Sequence, residues 1–421
     1  MSVDEITRLN TLASAHARAG RIQAALDAYH QLALLIPNDY RVHHNLGVVY
    51  SLLPDDERAL ECLYRAEALR PDDPAVHHNL ATVLISLGRF SEAIDHEDKA
   101  IAAQADFAPA HHCRGMIHLM LGDFERGWAD MEWRLRSPNL ALQPRRFAEP
   151  RWDGSDLCGK TILLHAEQGL GDTIQFVRYA SLVARKGGRV IVECQPAIAD
   201  LVRTVSGVSQ VLAADRFLAP EDLPPFDVYS SLLSLPRILG TRLETIPNRV
   251  PYINAGAKAD FWKDRLAPER RLRVGLAWAG GPAHIEDRTR SISLKDFAGL
   301  ASVPNIAFYS LQKGPASAQA ASPPTGLNLI DYTSELNDFA DTAGLISNLD
   351  LVISVDTAVA HLAGALGRPV WTLLTWVPDC RWMLDRVDSP WYPTMRLFRQ
   401  PSRGDWAGAI RQVAAALSLR S

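Results

Sequence analysis

Apolar positions in the first third of the chain recur with helical spacing, and the whole pattern repeats every 34 residues. Pro37 and Pro71 are 34 apart, as are the pairs His43-His44, His77-His78 and His111-His112. Asn45-Leu46 returns as Asn79-Leu80, Ala25 as Ala59 and Ala93, and Gly20 aligns with Gly88 and Gly122. Small residues at fixed places predict two helices in contact within each repeat, with a proline closing the second. The periodicity ends in a proline-bearing stretch, RSPNLALQPRRFAEPRWDGSDLCGK, and a different rhythm starts near Lys160. TILLHA, the loop EQGLGD, the helix TIQFVRYASLVARKGG and the strand RVIVEC together read as a βαβ unit. VPYI near Pro251 closes this first α/β lobe. The rhythm restarts at LRVGLAWA (272–279) and continues with NIAFYSLQ, LDLVISV, a helix from Thr357, the strand PVWTLL and a final helix, WAGAIRQVAAAL.

Helical hairpins at this period are tetratricopeptide (TPR) repeats, and HHNLGVVYSLLPDDERALECLYRAEALRP resembles the TPR consensus most closely. Each hairpin has an apolar side that it cannot bury alone, so several must stack. The array begins near Ile6, and its fourth unit, from about Ala108, drifts, with Arg114 where Leu46 and Leu80 stood. The fold class expected is α + α/β: a TPR domain over 1–137, a linker over 138–160, and two Rossmann-like lobes over 161–258 and 259–421.

His44, His78 and His112 recur at one helix position, and Asn45 and Asn79 at the next. One reading makes His44, Asn45, His78 and Asn79 a polar ladder for the backbone of an extended peptide. The array is similar to that of O-GlcNAc transferases, where groove asparagines do this. The plainer reading is that Asn is common at this position in TPRs, and Cys113 interrupts the ladder. A metal site made from a histidine pair is disfavoured, because neighbouring side chains on a helix point about 100° apart.

Composition narrows the function. The chain has 421 residues, 47% hydrophobic and 22% charged, with a formal net charge of -4. A nucleic-acid partner would call for a basic surplus. MSVDEITRLN shows no basic head with an apolar core, and no run of about 18 apolar residues occurs, so neither a signal peptide nor a membrane span is expected. Five scattered cysteines with no CxxC spacing fit reduced thiols, and the expected location is cytoplasmic.

HAEQGLGDTIQFVRYA and, far downstream, VDTAVAHLAGALGRPVW resemble bacterial TPR-containing glycosyltransferases. Their catalytic part is similar to the ADP-heptose:lipopolysaccharide heptosyltransferases. The likeness runs on through WDGSDL, SLLSLPRILGT, GLAWAGGPAHIEDRTRSISL, SLQKG and DSPWYPTMRLFRQ, and so covers the chain from about Gly127 onwards. It implies a GT-B glycosyltransferase with the acceptor lobe first and the nucleotide-sugar lobe second. It also implies a protein acceptor such as flagellin, recruited by the array. The nucleotide-sugar would be a substrate, and no cofactor is expected.

Gly169 and Gly171 shape the loop after the first strand, before a helix whose N–H groups and dipole could face a ligand. As a dinucleotide fingerprint GLGDTI is poor, since Ile174 takes the third glycine's place. Glu193 lies where a ribose-binding acid would, which keeps a dehydrogenase reading open. Asp172 is either a helix N-cap or a general base for the acceptor hydroxyl. The resemblance assigns the base role to this position. Asp356 and Thr357 end a strand and open a helix where a diphosphate would sit. The resembling families have DTG or DTS there, and Ala358 departs from both. His361 is a donor contact or a packed histidine.

Arg288, Arg290 and Lys313 are candidate phosphate partners or plain loop charges. No convincing DxD motif occurs, so cations and a helix dipole are favoured over a metal. Glu167 and Gln168 either position an acceptor or hold the loop. Trp152, Trp376, Trp382 and Trp391 are sugar platforms or packing. Two other functions compete: a non-catalytic TPR adaptor with a degenerate GT-B module, and a transferase acting on lipid or polysaccharide.

Overall fold

The structure is a computed structural model, and the residues it describes are 3–53, 55–136, 145, 147–215, 217–282 and 287–420. The chain divides into two compact units, residues 1–143 and 144–421.

The first unit is four helical hairpins: α1 (Val3–Arg18) with α2 (Ile22–Leu35), α3 (Tyr40–Ser51) with α4 (Asp56–Leu69), α5 (Pro74–Ser86) with α6 (Phe90–Ala103), and α7 (Ala108–Met120) with α8 (Phe124–Met131). Successive hairpins stack, α2 on α3, α4 on α5 and α6 on α7, and the first helices touch in turn, α3 with α5 and α5 with α7. Aspartates start several helices: Asp39 accepts from Arg41 N, and Asp73, 34 residues on, from Ala75 N and Val76 N. Small residues permit the crossing within each hairpin. A Cβ on Gly47 would lie 2.5 Å from Leu63 Cγ of the paired helix.

The first histidine of each pair has a structural task. His43, His77 and His111 each use Nε2 to bond the carbonyl six residues earlier, at Pro37 (2.7 Å), Pro71 (2.8 Å) and Ala105 (3.0 Å). A carbonyl only accepts, so each Nε2 carries a proton, and the turn between repeats is tied down.

The second unit holds two all-parallel sheets. The first contains β1 (Thr161–His165), β2 (Arg189–Cys194), β3 (Val208–Ala213) and β4 (Val228–Ser231), ordered β3-β2-β1-β4. The second contains β5 (Leu272–Ala277), β6 (Ile306–Ser310), β7 (Leu329–Ile330), β8 (Leu351–Val355), β9 (Val370–Leu374) and β10 (Met395–Arg399), ordered β10-β9-β8-β5-β6-β7. Numbered within its lobe, the second sheet has the 3-2-1-4-5-6 order of nucleotide-binding Rossmann folds, and the first has its leading 3-2-1-4 half. The switch points lie between β1 and β4 and between β5 and β8, and the crevices open at the carboxyl ends of those strands. β8 and β9 are buried throughout, which is why LVISV and VWTLL carry no polar alternation. The two lobes are the GT-B arrangement expected.

Of the expected linker, residues 138–144 and 146 lie outside the described residues. Residues 147–160 include Trp152 and Leu157, which are 4% and 1% exposed, and Trp152 N donates to Tyr229 O beside β4. VPYI belongs to neither sheet; Tyr252 N donates instead to Ala365 O of the second lobe. Among the described residues, no helix is long and apolar enough to cross a membrane.

Candidate functional site

The helix after β1 starts earlier than the sequence pattern implies. α9 spans Leu170–Phe176, so Gly171 and Asp172 lie in its first turn and Gly169 is its N-cap. Asp172 is therefore not the cap itself. It is the third helical residue, and its Oδ2 accepts from Gly169 N at 3.0 Å. Its other oxygen, Oδ1, accepts from Arg381 Nη2 at 2.7 Å. Both carboxylate oxygens are thus engaged, one inside the first lobe and one by the second.

Gly171 lies where the lobes pack closely together. A Cβ there would lie 2.9 Å from His361 Cδ2 and 3.5 Å from Ala358 Cα. Glycine is needed for this approach and not for its backbone angles.

Across the cleft, Asp356 follows β8, and Thr357 caps the helix Ala358–Ala365. Thr357 Oγ1 accepts from Val359 N, and its carbonyl from Ala360 N and His361 N, so the cap uses several of the first N–H groups internally. Asp356 Oδ2 accepts from Trp382 Nε1 at 2.7 Å. Burial holds the Asp356 carboxyl up at about 6, despite the nearby Arg381 charge.

His361 is 2% exposed, with Nδ1 2.9 Å from Tyr392 Oη, Nε2 3.8 Å from Asp356 Oδ1, and its ring stacked on Trp382. Burial, with Arg381 beside it, pushes the imidazole well below its ordinary pKa, so it is neutral.

Arg381 organises the centre. It follows β9 in the turn Cys380–Trp382, and besides Asp172 it bonds Asp379 Oδ1 at 2.8 Å and Gln175 Oε1 at 2.9 Å. Its Nη1 is 3.4 Å from His361 Nε2. Burial works against ionisation of Asp379, but the Arg381 charge and hydrogen bonds outweigh it and hold that carboxyl at about 2. Gln175 Nε2 is buried without a hydrogen-bond partner, which leaves one amide donor next to Arg381.

The three candidate loop cations separate. Arg290 lies close to Gly280 at the end of β5, and its charge lowers the Asp356 pKa. Its Nε is buried without a hydrogen-bond partner. Arg288 is exposed in the same turn. Lys313 Nζ donates to Thr333 O at 2.7 Å and is tied to that loop. Between them Gln312 clasps the loop after β5, accepting from Trp278 N and Ala279 N. The middle of the quoted motif, residues 283–286, lies outside the described residues.

Glu193 pairs with Arg145 and accepts from Leu218 N, so it is not poised for a ribose. Glu167 bonds Ser231, and Gln168 O accepts from Gln195 Nε2 at 2.8 Å. Trp152, Trp382 and Trp391 are buried, whereas Trp376 is 42% exposed. Arg178 is buried where the lobes join. It donates to Gln175 O, Pro247 O, Trp391 O and Tyr252 Oη.

In the array, His44 and Asn45 line a cleft of about 510 Å³ together with Ile6, Asn10, Tyr40 and Asp73. Asn79 Nδ2 and His44 Nε2 bond each other, linking α5 to α3. His78 turns toward α6, with Nδ1 2.9 Å from Glu97 Oε1.

Sequence reasoning missed Arg381, Asp379 and Gln175, and took Trp382 only as a platform or packing. The available signal was position: VPDCRW follows a buried parallel strand at its carboxyl end, where α/β folds place ligands.

Residues 335–394 match the family model described as glycosyltransferase family 9 (heptosyltransferase). The match includes Asp356, Thr357, His361, Arg381, Trp382 and Tyr392. Protein FlbA of Caulobacter vibrioides is 28% identical over 322 residues, covering 69% of this chain and 52% of that protein. The chain thus spans about half the length of this relative. Among solved structures, an O-GlcNAc transferase mutant of Thermobaculum terrenum aligns over 100% of this chain and 95% of its own, at 14% identity and a TM-score of 0.36. MamA of Desulfovibrio magneticus RS-1 aligns over 32% of this chain and 75% of its own, at 20% identity and a TM-score of 0.29. The segment that carries Asp356, His361 and Arg381 is therefore of the glycosyltransferase family 9 type, within a chain that also carries a TPR array.

Proposed function

We propose that the second unit transfers a sugar from a nucleotide-sugar to an acceptor hydroxyl, with inversion and without a metal. The observation that carries this reading is the meeting of two Rossmann crevices at one charged cluster: Asp172 from the first lobe, Asp356 and His361 from the second, and Arg381 between them. The diphosphate would lie at the Thr357 helix start, with Arg290 and Arg381 as its cations. As the anomeric C–O bond to the diphosphate breaks, the acceptor oxygen bonds to the anomeric carbon and its proton passes to Asp172. Asp172 Oδ1 is held by Arg381, so the donor's phosphates would draw the guanidinium away and free the base.

The acceptor on this reading is a protein held by the array, flagellin being one candidate. A binding-only module is the second reading, favoured by the full engagement of both Asp172 oxygens. Thermal shift with a panel of nucleotide-sugars and nucleoside diphosphates in chelator tests the proposal, because a ligand of the folded state raises the melting point by mass action. Stabilisation by one donor, followed by release of its diphosphate on adding acceptor, is the expected result. Stabilisation that needs Mg²⁺ or Mn²⁺ contradicts the metal-free mechanism, and binding without release supports the module.

A further inference from the structure

In the third and fourth hairpins the first histidine of the pair faces the residue 19 positions later in the paired helix. By the same spacing the second hairpin has Cys62 at that position, and the fourth has Asp130, 3.4 Å from His111 Nδ1. The fourth hairpin fills its site with Arg114, which bonds both Asp130 oxygens. The third hairpin is different. His77 Nδ1 faces His96 Nδ1 at 3.3 Å, and Glu67 Oε1 of the preceding repeat lies 3.5 Å from the first nitrogen and 3.8 Å from the second. The repeat-equivalents of Glu67 are Ala33 and Ile101, so the trio occurs once in the array.

A proton can serve only one pair of this trio at a time. The Nε2–H of His77 is committed to Pro71 O, so in the neutral ring Nδ1 presents a lone pair. That lone pair faces a second ring nitrogen and a carboxylate oxygen, with one His96 proton available among the three. Lys99 Nζ lies 3.2 Å from Glu67 Oε1, and its side chain is 54% exposed. His77 and His96 are 2% and 7% exposed, so water does not screen them freely. The neighbouring trio of His78, Glu97 and Cys113 is already satisfied, because His78 Nδ1 donates to the carboxylate.

A cation at the centre does resolve it. Ligand arms of about 2.0–2.1 Å in a tetrahedron set neighbouring donor atoms roughly 3.3–3.4 Å apart, close to the observed edges. Two neutral imidazoles and one carboxylate are the ligand types that zinc and its neighbours prefer. The Pro71 carbonyl also supplies the outer hydrogen bond that orients a metal-bound imidazole. We propose that Glu67, His77 and His96 form a zinc-class metal site that pins α4 to the hairpin of α5 and α6, with one coordination position left to solvent. This is an array property and does not depend on the sugar-transfer reading.

Zinc chloride titrated into the chelator-stripped full chain, followed by calorimetry and melting, tests it. The expected result is one ion bound at micromolar or lower concentration, with a raised melting point. Glu67→Gln and His96→Gln should each weaken binding by about 100-fold or more. Cobalt in place of zinc should give the visible bands of a tetrahedral N/O site without thiolate charge transfer. His77 also holds the turn, so its variants are not needed. Without metal, the two Gln variants should melt near wild type, which shows that they fold. Absence of binding, retention of binding in both variants, or a cobalt–thiolate band removed by Cys113→Ser would each overturn the proposal.

Discussion

Arg381 sets its Nη2 2.7 Å from Asp172 Oδ1, joining residues 209 apart in sequence and on opposite lobes. The pair is nearly enclosed, the two side chains being 17% and 15% exposed. A guanidinium that also bonds Asp379 and Gln175 restrains the carboxylate proposed above as the base.

Asp172→Asn is expected to lower single-turnover transfer by roughly 10²–10⁴-fold at saturating donor, the range for losing a positioned base. The amide oxygen can still accept from Gly169 N, so α9 should keep its start. A rate within about threefold of wild type would leave Asp172 without a role as base.

Gly171→Ala should destabilise the second unit by about 1–3 kcal/mol, the usual range for an added methyl in a packed contact. The His361 ring cannot swing aside cheaply, being bonded to Tyr392 and stacked on Trp382. Gly169→Ala should cost less, since its Cβ would meet only Asp172 Oδ2, at 3.3 Å. Urea unfolding of both variants decides the order; equal midpoints would contradict it.

Asp356 gives stability a pH dependence of known sign. Its folded carboxyl keeps a proton up to about 6, whereas the ordinary value is 3.8. The folded state therefore binds the extra proton between those values, and stability falls as pH rises through that window. Asp379 acts the other way: its stabilising contribution is present above 3.8 and lost as pH falls toward about 2. Asp356→Asn should flatten the upper window and raise stability at pH 7 by on the order of 1–3 kcal/mol. Unfolding free energies compared at about pH 4 and pH 7 test this, and an unchanged slope in the variant would refute it.

Much of this architecture was legible in the chain. The 34-residue period foretold the hairpins, and the buried strands LVISV and VWTLL were plain apolar runs bounded by turns. Asp356, Thr357 and His361 stand together at a strand end as their motif implies. Contacts between distant segments were not legible. Nothing local in VPDCRW shows that Arg381 crosses to Asp172, and nothing in GLGD shows that Gly171 meets His361. Lys313 looked equivalent to Arg290, and only the folded path of the Leu311–Gly314 loop sends its amine to Thr333. Two-residue β7 and the strand β10 lie in sequence too short or too mixed for periodicity to mark.

His111→Ala should loosen the turn before the last hairpin. The ring's bond to Ala105 O and its stacking on Trp133, with centroids 3.9 Å apart, are both lost. A cost of about 1–3 kcal/mol is expected for the exposed carbonyl and the lost contact. Faster amide exchange should appear around residues 105–111 and not in β1–β4. Unaltered exchange there would show that the histidine is dispensable to the turn.

Arg178 has a mechanical consequence. Its single guanidinium grips Trp391 O from one lobe and Gln175 O from the other, in a place where an unpaired charge would be costly. Any motion that parts the lobes at this point breaks the bond to Trp391 O, the one of the four that crosses between them. Arg178 thus works as a buried rivet between the lobes, because its bond to Trp391 O cannot be given up there without stranding part of a charge away from water.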